Sequence, residues 1–259
     1  MEGVRNRKRQ GTAPPPTATG SDARILPAGD GALVVELGDG IDPALNDRVH
    51  RLDRAIGEAA IPGVVETVPT YRSILVAFDP LTADAAALGA RLLELAAGLS
   101  DAAATAGRRW VVPVCFGGAH GEDLEEVARR AGLTAERVVA LHCAADYRVY
   151  MLGFSPGFAY LGGLPEALHL PRRENPRLKT PAGSLMQGGA QAAVSPLAMP
   201  SGWHLLGRTP LRMFDVRRPQ PFLLAPGDRV RFTAIDAAEY DRLSAEAERT
   251  DLLPTLEAE

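Results

Sequence analysis

The stretch Ala32-Leu-Val-Val-Glu-Leu37, closed by Gly38-Asp-Gly40, has the composition of a buried strand ending in a turn. An apolar stripe at helical spacing follows it: Leu45, Val49, Leu52 and Ile56. Four more patterns come next: strands over residues 64–68 and 73–78, a helix over 81–99 and a strand over 110–116. The order β-α-β-β-α-β is that of a split βαβ unit, so we predict an α+β, ferredoxin-like domain over residues 23–117.

The second half of the chain has a different texture. Residues 122–146 predict two helices, the first ended by Gly132 and the second begun at Thr134. Residues 153–232 then contain 10 glycines and 11 prolines in 80 positions, with no apolar stripe long enough for a helix. Short strand patterns lie between these turns, at 147–152, 211–215, 222–224 and 230–232. We predict a helical lead-in and an all-β barrel over residues 118–235.

The two ends of the 259-residue chain differ from its centre. Residues 1–22 are rich in proline, threonine and glycine and predict a disordered tail. Residues 236–259 hold eight acidic residues and two arginines, which makes an acidic C-terminal tail with a charge of −6. Because the formal net charge of the whole chain is −4, the remaining residues carry a charge of +2. This near-neutral balance argues against a nucleic-acid partner. With no secretory signal and no apolar run long enough to span a bilayer, we expect a cytoplasmic protein without a membrane partner.

Familiar catalytic motifs are absent or defective. The sequence Gly153-Phe-Ser155-Pro-Gly157 matches G-x-S-x-G, but Pro156 has no backbone N–H to donate to an oxyanion, so we predict a rigid turn there. No phosphate-binding glycine loop is present, and the five histidines show no metal-ligand spacing. The sequence therefore predicts no metal site and leaves the catalytic residues unassigned.

Two dense polar stretches are candidates for binding an anion. The first runs from Arg172 to Lys179 between prolines, and the second from Gln191 to Arg208. We expect them to converge across one barrel cleft, with the substrate or ATP bound by Arg172, Arg173, Lys179, Gln191, Trp203, His204 and Arg208. Two other interpretations stay open. The arginines can form a solvated loop, because only two of the 28 basic residues are lysines, and Trp203 can be a core residue.

Several ordered motifs resemble one protein family. They include residues 147–164, Thr180-Pro-Ala-Gly-Ser184, Leu206-Gly-Arg-Thr-Pro210 and Pro226-Gly-Asp228. From about residue 24 to 235 the chain resembles the family of 5-oxoprolinase B subunits, also labelled allophanate hydrolase subunit 1 or carboxyltransferase domain C/D, which includes Kip-inhibitor-like proteins. The resemblance implies a ferredoxin-like domain followed by a cyclophilin-like β-barrel.

The resemblance also implies a function. It is that of one component, inactive alone, of an ATP-dependent 5-oxoprolinase that hydrolyses 5-oxo-L-proline to L-glutamate with ATP and magnesium bound by the complex. The implied partners are the C subunit of 5-oxoprolinase, of the carboxyltransferase A/B type, and the A subunit, which is LamB/YcsF-like. Two alternatives stay open: a regulatory module that inhibits a sensor histidine kinase, and a carboxyltransferase part of a urea- or allophanate-processing enzyme.

Overall fold

The computed structural model describes residues 23–99 and 107–257, so the predicted disordered tail lies outside the described residues. Residues 23–99 form a four-stranded antiparallel sheet and two helices that share one core. The strands are β1 (Arg24–Pro27), β2 (Ala32–Glu36), β3 (Val64–Pro69) and β4 (Ser73–Phe78). The helices are α1 (Pro43–Ala59) and α2 (Ala85–Ala97). The spatial order of the strands is β1-β2-β4-β3.

Local sequence explains these elements. Strand β4 alternates between buried and half-buried residues, and its buried side chains pack with the predicted stripe of α1: Ile74, Val76, Phe78, Val49, Leu52 and Ile56. Burying each such side chain stabilises the fold by about 1.5–3 kcal/mol. Asp42 caps α1 by accepting a hydrogen bond from the backbone N–H of Leu45, and Pro43 fits the first turn.

The edge strand of this sheet differs from the prediction. We expected residues 110–116 to complete it, but the edge position beside β2 is taken by β1, with Ile25 opposite Val35. The segment 110–116 instead belongs to β5 (Arg109–Phe116), which lies in the second sheet. The four residues of β1 end in a proline, a pattern too short and too interrupted to stand out in the sequence.

The second sheet closes into a barrel of seven strands. In spatial order they are β12 (His204–Arg208), β9 (Ser184–Gly188), β10 (Gln191–Val194), β7 (Ala159–Gly162), β6 (Tyr147–Leu152), β13 (Arg229–Ile235) and β5, which pairs back with β12. Strands β13 and β5 are parallel and the other pairs antiparallel. A closed barrel has no free edges along its wall. The predicted barrel is confirmed.

Smaller elements decorate the barrel. Strand β8 (Arg177–Thr180) pairs with β11 (Met199–Ser201), and β14 (Thr255–Leu256) adds to the start of β5. Between residues 160 and 225, all of which the structure describes, the only helix is one 3₁₀ turn over Glu166–Leu168. The segments 211–215 and 222–224, predicted as strands, are turns joined by one bridge between Phe214 and Phe222.

Three α-helices of the described part of the chain accompany the barrel. Helix α3 (Leu124–Ala131) ends at Gly132 in the left-handed conformation, and α4 (Ala135–Ala144) begins at its N-cap Thr134, as the sequence predicted. Helix α5 (Ala237–Arg249) lies in the segment interpreted as an acidic tail, and it buries Tyr240 and Ala247. The acidic segment thus contains an amphipathic helix, with charged residues on its exposed side. None of the helices within the described ranges is long and apolar enough to cross a membrane.

A buried polar chain runs through the barrel core. The hydroxyl of Tyr147 lies 2.8 Å from Nδ1 of His142, and Nε2 of His142 lies 2.9 Å from Oε1 of Gln187. Gln187 in turn donates to the carbonyl of Leu168 at 2.7 Å. Burial lowers the pKa of His142 to about 4, so the ring is neutral at physiological pH. His142 is therefore a structural residue whose two ring nitrogens both have partners.

Candidate functional site

The segment Pro171–Arg177, here called the arginine loop, is tied to the barrel by a buried carboxylate. Asp123, just before α3, is 4% exposed. It accepts a hydrogen bond from Arg173 at 2.8 Å and two from Arg177 at 2.7 and 2.8 Å. It also accepts the backbone N–H of Leu205 at 2.8 Å, which ties it to β12. Three elements therefore meet at this carboxylate.

Electrostatics reinforce that arrangement. Burial alone would raise the pKa of Asp123, but the hydrogen bonds from Arg177 and Leu205 and the charge of Arg173 outweigh it and lower the pKa below its usual value. The same carboxylate raises the pKa of Arg177. The backbone N–H of Arg173 also donates to the carbonyl of Gly202 at 2.7 Å. Arg173 is thus engaged in structure, whereas its neighbour Arg172 has no ion pair among the described residues.

Beside the arginine loop lies a cleft of about 430 Å³. It is lined by Glu126, Arg130, Pro171, Arg172, Arg173, Glu174, Asn175 and His204. His204 is 1% exposed, and its Nε2 lies 3.0 Å from the carbonyl of Pro171. The other ring nitrogen of His204 and the Nε of Arg173 are buried without a hydrogen-bond partner in the described structure. The lining therefore combines three arginines and two glutamates with unused polar atoms of His204 and Arg173, and guanidinium groups of this kind can bind a small anion.

Trp203 belongs to a row of aromatic rings beneath this cleft. It is 5% exposed and lies edge-on to Phe158 and Tyr160, at centroid distances of 6.1 and 6.4 Å. The guanidinium of Arg172 lies 5.6 Å above the Trp203 ring. Trp203 is therefore mainly a core residue whose outer face supports Arg172 by a cation–π contact.

Gln191 lies at the seam between the N-terminal sheet and the barrel. Its Nε2 donates a hydrogen bond to the hydroxyl of Tyr71, a residue of the turn between β3 and β4. The Tyr71 ring is 5.0 Å from that of Tyr150 and 6.5 Å from that of Tyr160. Burial raises the pKa of Tyr71 to about 12, so its hydroxyl keeps its proton at neutral pH.

Helix α1 fixes that seam. Asn46 is fully buried, and its Nδ2 donates to the carbonyls of Thr70 and Tyr150, each at 3.1 Å. His50 Nε2 lies 2.8 Å from the same Tyr150 carbonyl, and Asp47 forms an ion pair with Arg148. Burial lowers the pKa of His50. These polar contacts hold the turn that carries Tyr71 against the barrel.

The other candidate residues lie apart from the cleft. Lys179 is exposed on β8 and makes no ion pair within the described ranges. Arg208 ends β12, four residues and therefore about 13 Å along the strand from His204. Its Nε donates to the carbonyl of Ala182 at 2.8 Å, and its guanidinium lies 5.9 Å from the Tyr240 ring. The structure thus gathers four of the candidates and leaves Lys179, Gln191 and Arg208 at separate positions. The four are Arg172, Arg173, Trp203 and His204.

The G-x-S-x-G segment forms a tight turn between β6 and β7. Phe154 has a φ of +67° and is 73% exposed, and Gly157 has a φ of +79°. The Ser155 hydroxyl is buried without a hydrogen-bond partner in the described structure, so no general base reaches it there. The segment thus forms the tight turn that we predicted.

Comparisons with known proteins agree with this architecture. Residues 23–224 match the family described as carboxyltransferase domain, subdomain C and D. The chain belongs to this family. It is also 44% identical over 213 residues to the 5-oxoprolinase B subunit of Escherichia coli O157:H7, covering 81% of this chain and 95% of that protein. It is 36% identical over 239 residues to the 5-oxoprolinase B subunit of Bacillus subtilis (strain 168), covering 86% and 98% of the two chains.

A solved structure shares the fold at low identity. The Kluyveromyces lactis urea amidolyase matches with a TM-score of 0.77 and 19% identity, over 93% of this chain and 17% of that one. That likeness concerns the fold alone. The resemblance to the family of 5-oxoprolinase B subunits is confirmed by the two curated relatives and the family match.

For this carboxyltransferase C/D chain, sequence reasoning missed three residues of the site. We placed Asp123 within the helical segment 122–146 and gave it no role in the site, because its contacts with Arg173 and Arg177, 50 and 54 residues away in sequence, arise only from the tertiary fold. Arg130 lines the cleft from α3, far from the basic stretch in sequence. Tyr71 reaches the barrel from the other half of the chain, 120 residues from Gln191, and no local pattern indicates such a contact.

Proposed function

We propose that this chain is the B subunit of an ATP-dependent 5-oxoprolinase, which opens the lactam of 5-oxo-L-proline to give L-glutamate. The observation that carries the proposal is the 44% identity to the E. coli B subunit over 95% of that protein's length. Likeness over nearly the whole length of a relative supports a shared role more strongly than a shared fold does.

In this proposal the chain does not act alone. Among the described residues, no group of three or more acidic, histidine or cysteine side chains is placed to hold a metal ion, and Ser155 lacks a base. We infer that the remaining groups come from two partner subunits, one of the carboxyltransferase A/B type and one that is LamB/YcsF-like.

The cleft beside the arginine loop is the part that we assign to binding. Arg172 and Arg130 supply cations, and His204 supplies a buried ring nitrogen without a partner in the described structure. Carboxylate and phosphate oxygens are the groups that guanidinium forks bind best. We propose that this cleft holds the carboxylate of the substrate or the phosphates of ATP, with magnesium accompanying the ATP in the complex. Lys179 and Arg208 have peripheral roles in this arrangement.

The proposal is tested by the substrate range of the assembled enzyme. The chain is mixed with the two partner subunits, and ATP hydrolysis is measured with 5-oxo-L-proline, urea or neither. We expect ATP turnover that depends on 5-oxo-L-proline and forms glutamate. Turnover stimulated by urea instead would assign the chain to the urea-processing alternative. Stable binding to a sensor kinase, without any complex with the partner subunits, would assign it to the regulatory one.

A further inference from the structure

His204 forms the buried floor of the cleft beside the arginine loop and has an unused hydrogen-bond acceptor. Its side chain is 1% exposed, whereas the other lining residues are exposed or half-buried. The Nε2 of His204 lies 3.0 Å from the carbonyl of Pro171. Because a carbonyl only accepts, Nε2 carries the proton of the neutral ring, and Nδ1 is left as an acceptor. Nδ1 is buried without a partner in the described part of the chain, so nothing there compensates its desolvation.

The charged groups of the cleft are of both signs. Arg130 and Arg172 form no ion pair among the described residues, so both guanidinium groups are available to a ligand. The same cleft is lined by two carboxylates, Glu126 and Glu174. A triphosphate would bring several negative charges against these carboxylates and no donor for the buried ring nitrogen. A ligand with a single carboxylate meets the two guanidinium groups with much less repulsion.

A small molecule that joins one carboxylate to a neighbouring N–H matches this arrangement. In 5-oxo-L-proline the ring nitrogen and the carboxylate are bonded to the same carbon, so the donor and the anion lie side by side. We propose that His204 makes the cleft specific for such a ligand: its Nδ1 accepts the lactam N–H while Arg172 and Arg130 bind the carboxylate. The cleft then holds the substrate and not the phosphates of ATP. The inference rests on the proposed function and deepens it by choosing between these two ligands.

The test compares a lactam with a lactone by NMR titration of the isolated full chain near neutral pH. The probes are 5-oxo-L-proline and its lactone analogue, which keeps the ring and the carboxylate but has an oxygen in place of the N–H. We expect the lactam to bind about 10-fold more tightly, the effect of one hydrogen bond to a buried acceptor. Tripolyphosphate, the probe for the phosphates of ATP, should not displace the lactam at equal concentration.

Substitutions separate the hydrogen bond from the charge. His204→Leu removes the acceptor and should bind lactam and lactone about equally. His204→Gln keeps an amide donor for the Pro171 carbonyl and a carbonyl acceptor, so it should restore the preference for the lactam. Arg172→Ala should weaken both ligands by about 10-fold and leave their ratio unchanged. His169→Leu is the matched control, because the His169 Nε2 also lies beside a carbonyl, that of Leu164, but His169 does not line the cleft.

Three results overturn the inference. They are equal affinities of the wild type for lactam and lactone, a lactam preference that survives in His204→Leu, and displacement of the lactam by tripolyphosphate. Absence of binding at tens of millimolar overturns it as well. The assembled enzyme separates the two proposals. Turnover of 5-oxo-L-proline with an unchanged KM in His204→Leu disproves this site alone. His204-dependent binding without turnover by the complex disproves the proposed function alone.

Discussion

Replacing Asp123 by alanine should loosen the arginine loop and destabilise the barrel. The carboxylate is 4% exposed and accepts three hydrogen bonds from two arginines and one from the backbone of β12. Removing one partner of a buried ion pair costs about 3–5 kcal/mol. The side chains of Arg173 and Arg177 are 29% and 20% exposed, so water can partly replace the lost partner. We therefore expect a loss of about 2–4 kcal/mol in the free energy of unfolding.

The assay is urea unfolding followed by circular dichroism. With a slope of about 3 kcal/mol per molar urea, the midpoint should fall by roughly 1 M. Glu126→Ala is the control, because its ion pair with Arg129 is exposed and should leave the midpoint unchanged. An Asp123→Ala midpoint within about 0.1 M of the wild-type value would refute the reasoning.

The pH dependence of stability tests whether the ionised carboxylate of Asp123 causes this loss. The folded-state pKa of Asp123 is lowered, so its contribution to stability is fully present above the unfolded pKa of about 3.9 and is lost as the pH falls through the folded value. The difference in unfolding free energy between the wild type and Asp123→Asn should be constant near neutral pH. It should shrink below about pH 4.

Three further predictions concern the core, the turns and the cleft. The pKa of His142 is lowered from 6.5 to about 4, so the stability that the neutral ring contributes is fully present above pH 6.5. We expect the free energy of unfolding to fall by about 3 kcal/mol as the pH drops to 4. Denaturation curves of His142→Gln should lack this pH dependence. Gly189 has a φ of +64° and open space around it, so Gly189→Ala should lower the free energy of unfolding by about 1–2 kcal/mol. Gly183 has a φ of +80°, and a Cβ there would lie 2.3 Å from a carbonyl oxygen. Thermal melts should therefore show a much larger loss of stability for Gly183→Ala than for Gly189→Ala. In the assembled enzyme, Arg172→Ala should raise the KM for 5-oxo-L-proline or ATP by about 10- to 100-fold, and Arg229→Ala, whose partner is Asp146, should leave both constants unchanged.

The fold could be predicted wherever one element carries its own period. The stripe of α1 and the alternation of β4 are visible in the sequence because each buries one face against a single core. The strands that pair with a given strand could not be predicted in this way. Strand β5 has the same apolar pattern whichever sheet accepts it, and its true neighbours β13 and β12 lie about a hundred residues further along the chain. Local sequence does not encode that choice.

The candidate site, too, could be predicted only in part from the sequence. Arg172, Arg173 and His204 could be chosen because their residue types suit anion binding, and the structure does bring them to one cleft. Their roles depend on neighbours that the sequence does not indicate. Asp123 engages Arg173 and leaves Arg172 without an ion pair among the described residues, a distinction that follows from burial and distance. Arg208 has the same chemistry but is directed by β12 toward α5.

The proposed role of this chain as the B subunit of a 5-oxoprolinase can be measured directly. Carbon-13-labelled 5-oxo-L-proline is followed by NMR in a mixture of the two partner subunits with ATP and magnesium, with and without this chain. We predict labelled glutamate only when all three proteins are present, in proportion to the ATP consumed. Glutamate formed at the same rate without this chain, or no glutamate in the complete mixture, would contradict the assignment.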